Sequence, residues 1–137
     1  MSRRSARQNA FKLLFQIDFH EATEHEDVRT LFLAEQEEPV SEKDKTYILD
    51  MVEGTKANLT EIDTKIDAFA KGWNTKRMNR VDLAILRLAV YEMLFAKETP
   101  VAVVINEAVE LAKEFSSDEA PSFINGVLGK IAKSENP

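Results

Sequence analysis

The chain has no cysteine, which removes disulfide frameworks, thiolate zinc sites and cysteine nucleophiles together. That usage fits an intracellular protein. Only four glycines and four prolines occur in 137 residues. So few helix breakers predict a chain that is mostly helix. No apolar run approaches the ~20 residues of a membrane span. The charged N-terminus has no apolar stretch followed by a small-residue cleavage site, so a secretory signal is not expected. The cytoplasm is therefore the expected location. Gly-rich phosphate loops, the G-x-S-x-G elbow and dinucleotide fingerprints are all missing. So are repeats and low-complexity tracts. Any enzyme built on this chain would have to work with carboxylates alone.

The length suits one compact domain, expected over residues 1–137. A hydrophobic fraction of 44% supplies a core. The net charge is −6, a balance that opposes nucleic acid. Its distribution does not. Before Asp18 stand Arg3, Arg4, Arg7 and Lys12 with no acidic residue. The remainder holds 14 basic residues against 24 acidic ones. A short basic arm on an acidic body binds phosphate locally while the body repels it. The plain alternative is a solvated helix end.

Hydrophobic spacing places the helices. Residues 3–19 predict a first helix, with Ala6, Ala10, Leu13, Leu14 and Ile17 on one core face. Thr23, with Glu26 three residues on, reads as a capping box opening a second helix. Its apolar face is Val28, Leu31 and Phe32, and Glu37, Glu38 and Pro39 end it. Ser41 and Asp44 start a third helix carrying Tyr47, Ile48, Met51, Val52 and Thr55. The pattern loosens over residues 54–58, where a break is expected. Leu59, Ile62, Ile66 and Phe69 then form a clean stripe that Gly72 closes. Residues 80–97 are apolar nearly all round, which predicts a buried central helix. Pro100 opens the next helix. Its β-branched start (Val101, Val103, Val104, Ile105) suggests a strand. The longer face through Ala108, Leu111, Ala112 and Phe115 decides for helix. Asn125-Gly126 is a hairpin signature, yet Ile124, Val127, Leu128 and Ile131 make a helical stripe, and helix is preferred. The whole predicts an all-α fold of six or seven helices in two small packed bundles.

Few residues offer chemistry. His20 and His25 stand five apart, about 140° around a helix, and do not make the i, i+4 zinc pair. Both read as surface residues, with no metal and no catalytic group. Asp63 and Asp67 at i, i+4 read as a solvated polar face. Arg87 lies in the most apolar helix, where a cation is rarely buried unpaired. Glu107 or Glu110 is the expected partner. The first helix is the most informative. Phe11, Phe15 and Phe19 recur every four residues, and Arg4, Arg7 and Gln8 share their sector. Single-stranded RNA is held by cations on phosphates and by bases stacked on aromatic rings or guanidinium planes. Phe11 and Phe19 read as core; Phe15, beside the polar residues, suits stacking.

Arg3-Arg4, Ala6-Arg7, Leu14, Gln16 and Asp18 also resemble the start of the NusB family. Residues 81–92 (VDLAILRLAVYE) are similar to its central helix. Pro100 followed by residues 105–113 (INEAVELAK), and then residues 123–128 (FINGVL), resemble its later signatures in order. The resemblance implies transcription antitermination without catalysis or cofactor. It implies binding of the boxA element of nascent RNA together with NusE, a small-subunit ribosomal protein. It further implies an RNA polymerase antitermination complex that supports transcription of ribosomal RNA operons. The implied RNA contacts are Arg3, Arg4, Arg7, Gln8 and Phe15, with Arg77 and Phe123 beyond the first helix. Asp82 and Glu119 are implied partner contacts, and Trp73 is read as a packing residue. A helical adaptor or homodimer with a masked RNA face is the alternative.

Overall fold

A computed structural model describes residues 1–135. Seven α-helices and no strand occur among them, so the all-α expectation holds. The last two residues of the expected domain lie outside the described residues. The chain divides into two compact units, Met1–Glu53 and Gly54–Pro137.

In the first unit, helix α1 spans Arg3–Ile17. Ser2 caps it: its hydroxyl accepts the Ser5 N–H at 3.0 Å, a contact worth ~1 kcal/mol. Ala6, Ala10, Leu13, Leu14 and Ile17 are all buried, as their spacing predicts. The helix stops two residues short of Phe19. The Phe19 and His20 N–H groups turn to the carbonyls of Gln16 and Ile17, three residues back. Such tightening is common at helix ends. The expected Thr23 cap does not form. Residues 22–24 make a 3₁₀ turn instead, and the Glu24 carboxylate accepts the Glu21 N–H at 3.1 Å. Helix α2 then runs His25–Ala34 and packs on α1. Phe32 is buried, but Leu31 is 59% exposed, contrary to expectation. These neighbours project about 100° apart, and this short helix buries only a narrow stripe. Helix α3, Glu42–Ala57, starts where Ser41 Oγ accepts the Asp44 N–H at 3.1 Å. Arg29 joins α2 to α3 through Glu53 at 2.7 Å.

In the second unit the expected break narrows to Asn58. Its side-chain amide donates to the Gly54 carbonyl at 2.8 Å, and helix α4 (Leu59–Phe69) follows. Helix α5, Arg80–Tyr91, is the buried centre and packs on α4 and on the two last helices. The predicted continuation to Lys97 is not α-helical. Residues 92–96 form a π turn, closed by the Lys97 N–H on the Glu92 carbonyl at 3.1 Å. Lys97 then turns left-handed at φ 54°. Helix α6 spans Val101–Phe115, with Pro100 as its cap rather than its first residue. Helix α7 spans Ala120–Glu135, so the helical stripe wins over the hairpin signature.

Arg87 is an internal ion pair as expected, with Asp63 on α4 as a partner that the spacing did not suggest. Its Nε and Nη2 donate to the two Asp63 oxygens at 2.9 and 2.8 Å. The pair docks α5 on α4, and Asp63 is therefore not a merely solvated residue. Asp67 is also engaged, accepting the Thr75 N–H at 2.7 Å. Helix α6 also packs on α5, but periodicity does not say that Asp63 on α4 faces the guanidinium as well.

Candidate nucleic-acid interface

Helix α1 presents the basic arm of the first unit. Arg3 and Arg4 are exposed, Gln8 is half-buried, and Phe15 is half-buried between two rings. Phe15 meets Phe19 edge-on at 5.1 Å and lies 6.4 Å from Phe11. Phe11 is buried, as its core reading requires. Phe19 is not: it is 57% exposed because the helix ends before it. Arg7 departs from the expected exposed stripe, being only 5% exposed. Its angular position falls about 20° from Leu14, at the edge of the core face.

The start of α1 is held against α3. The N-terminal ammonium lies 3.3 Å from the Asp44 carboxylate. The Arg3 guanidinium carbon sits 3.9 Å above the centre of the Tyr47 ring. Partial desolvation works to raise the Asp44 pKa. Hydrogen bonds from Ser41 and the N-terminal ammonium, with the Arg3 charge nearby, outweigh it and hold the carboxyl below its usual value. A carboxylate that stays ionised in this way keeps its grip on the helix start.

The second unit builds a cleft of about 410 Å³, a size suited to a small planar group. Its first wall is the α4–α5 loop. Gly72 at φ 78° lets the Trp73 N–H reach back to the Ala70 carbonyl at 2.8 Å. That is the positive-φ position of a tight turn, which glycine fills without strain. The Asn74 side chain then accepts the N–H groups of Lys76 and Arg77 at 3.0 and 3.1 Å. This local turn fixes Arg77 at the rim. Asn79 caps α5 by accepting the Asp82 N–H at 2.8 Å. The opposite wall is the first turn of α7 and the residues before it: Ser117, Glu119, Ala120 and Phe123.

Four residues singled out in sequence, Arg77, Asp82, Glu119 and Phe123, thus line one cleft. Asp82 is largely buried, and its carboxylate accepts the Ser116 hydroxyl at 2.5 Å. Trp73 was expected to pack inside. It is 56% exposed and lines the cleft. Its neighbours Gly72 and Asn74 were the available signal, since a tight turn offers a large ring little to pack beneath. In the sequence Tyr47 is one member of an apolar helix face, and nothing in its spacing marks it as an arginine platform. His20 and His25 lie near each other on the surface, with His25 Nε2 3.0 Å from the His20 carbonyl oxygen. No group of three metal-ligating side chains occurs among the described residues.

A model of the NusB family matches residues 4–133. The chain belongs to the NusB family. The transcription antitermination protein NusB of Acetivibrio thermocellus is 46% identical over 133 residues, covering 97% of this chain and 90% of that protein. A solved T. maritima NusB has a TM-score of 0.85 at 36% identity, over 100% of this chain and 94% of its own. A crystal structure of antitermination factors NusB and NusE in complex with dsRNA matches with a TM-score of 0.85 at 27% identity, over 96% of each chain. NusB is a family of transcription antitermination factors and not of enzymes. No helix among the described residues is long and apolar enough to cross a membrane.

Proposed function

We propose that this protein binds boxA RNA together with NusE as part of an RNA polymerase antitermination complex. It acts in the cytoplasm and supports transcription of ribosomal RNA operons. The observation that carries this reading is helix α1, which offers two exposed arginines and a half-buried aromatic ring on an otherwise acidic molecule. A structural relative bound to NusE and dsRNA supports both partners.

Arg3 and Arg4 take phosphates, Gln8 offers a hydrogen bond, and Phe15 stacks a base. In the second unit Arg77 and Phe123 supply a further cation and ring, while Asp82 and Glu119 serve the partner-facing side. Arg7 is buried, so it supports the helix beneath the contact surface. The test is a titration of boxA against a scrambled strand and a duplex, with and without NusE. Phe15→Ala should weaken boxA binding by about 1–3 kcal/mol, the range for one base stacked on a ring. Arg4→Ala should also reduce the salt slope by about 0.7. Equal affinity for boxA and the scrambled strand, with and without NusE, overturns the reading.

The exposed Phe19 ring and Leu31 side chain favour a second reading, in which the first unit meets another copy of the chain. Sedimentation with and without saturating boxA decides it. A dimer that dissociates on RNA binding places the two surfaces in competition.

A further inference from the structure

Arg3 is exposed, yet it is not a freely swinging side chain. Its guanidinium carbon lies 3.9 Å from the centre of the Tyr47 ring, in the range of a cation–π contact. Tyr47 belongs to α3 and is half-buried. Asp44, one turn earlier on the same helix, anchors the N-terminal ammonium and adds its field to Arg3. The start of α1 is therefore stapled at two points to one face of α3.

A guanidinium held over a ring at this distance has fewer rotamers open to it than one that projects into solvent. Arg3 nevertheless remains exposed, so its guanidinium is still open to a ligand. Such a group takes a phosphate bidentately or stacks a base. An unsupported arginine at a helix end must give up its rotamer freedom on binding, at a cost of about 0.5–1.5 kcal/mol. Ordering it beforehand removes that cost from the binding step.

We propose that Tyr47 is a positioning residue for RNA: a platform on α3 that pre-orients the Arg3 guanidinium toward a phosphate or base of the bound strand. The inference rests on the reading of α1 as the RNA contact surface. Tyr47 itself touches no nucleotide in this scheme and acts only through Arg3.

The experiment is a double-mutant cycle on the full chain, read by anisotropy of a fluorescently labelled boxA strand. Tyr47→Leu should weaken binding about three- to fivefold, which corresponds to the loss of one exposed cation–π contact. Tyr47→Phe keeps the ring and should stay near the wild-type affinity. Arg3→Ala should weaken binding and lower the salt slope by about 0.7. In the Arg3→Ala background, Tyr47→Leu should have no further effect. Thermal unfolding of each variant sets a temperature at which all are folded, so lost structure is not mistaken for lost positioning. An equal effect of Tyr47→Leu with and without Arg3, or loss of binding in Tyr47→Phe, overturns the proposal. If the wild-type chain binds boxA and Tyr47→Leu matches it, this inference alone fails. If the wild-type chain does not bind, the reading of α1 fails and takes this inference with it.

Discussion

Asp63 shows how much one contact changes a residue. As part of an i, i+4 acidic pair it looks like surface charge. In the fold it meets Arg87 through two hydrogen bonds, with the arginine side chain only 13% exposed. Bidentate, partly desolvated pairs are stronger than surface ones. Asp63→Ala should therefore destabilise the protein by about 2 kcal/mol. The urea midpoint measures this, provided the slope of the transition is unchanged. Glu107→Ala and Glu110→Ala, at the partners that spacing suggested, should leave the two Arg87–Asp63 hydrogen bonds in place.

Gly54 is a second residue whose role is set by a neighbour. A methyl group added there would overlap the end of the Tyr91 ring. That ring is stacked on Phe95, 6.0 Å away and within 11° of parallel, so its room to move is small. Gly54→Ala should cost about 1–3 kcal/mol through overpacking, despite the better helix propensity of alanine. In a Tyr91→Ala background the cost should disappear, because the ring that opposes the methyl group is gone. Denaturant unfolding of the four proteins of this cycle reads the coupling directly.

At the scale of elements, the end of α5 departs most from its sequence pattern. The apolar run continues through Phe95, but the backbone widens to a π turn and Lys97 ends it in a left-handed conformation. A side chain bearing a Cβ pays about 1–2 kcal/mol there, part of which glycine's greater flexibility offsets. Lys97→Gly should accordingly stabilise the protein by up to about 1 kcal/mol, raising the melting temperature by ~2–4 °C. Calorimetry checks the sign. Helix α1 shows the opposite balance. Its five core positions are all buried as spacing requires, whereas Arg7 and Phe19 trade places relative to expectation. Arg7 sits too near the core face to be exposed, and Phe19 lies beyond the helix that would have carried it inward.

For the whole molecule, charge asymmetry is the property with a measurable consequence. The proposed function draws on three exposed cations, Arg3, Arg4 and Arg77. On a single strand they predict a log–log salt slope of about −2. Affinity measured across a salt series tests this count. A slope steeper than about −3 would mean that further lysines or arginines reach the strand, against the net charge of −6.

Sequence alone determined the helical class, the order of the elements and most of the buried faces. Those follow from periodicity and from turn residues, which act over a few neighbouring positions. The basic arm was legible in the same way, because four cations without an acid before Asp18 need no fold to be counted. The tertiary structure decided the partners. It paired Arg87 with Asp63, set Arg3 over Tyr47, and brought Arg77, Asp82, Glu119 and Phe123 into one cleft. Each of these depends on which helix or turn lies alongside another, and at what depth. That is fixed by packing between segments far apart in the chain, where local spacing carries no information.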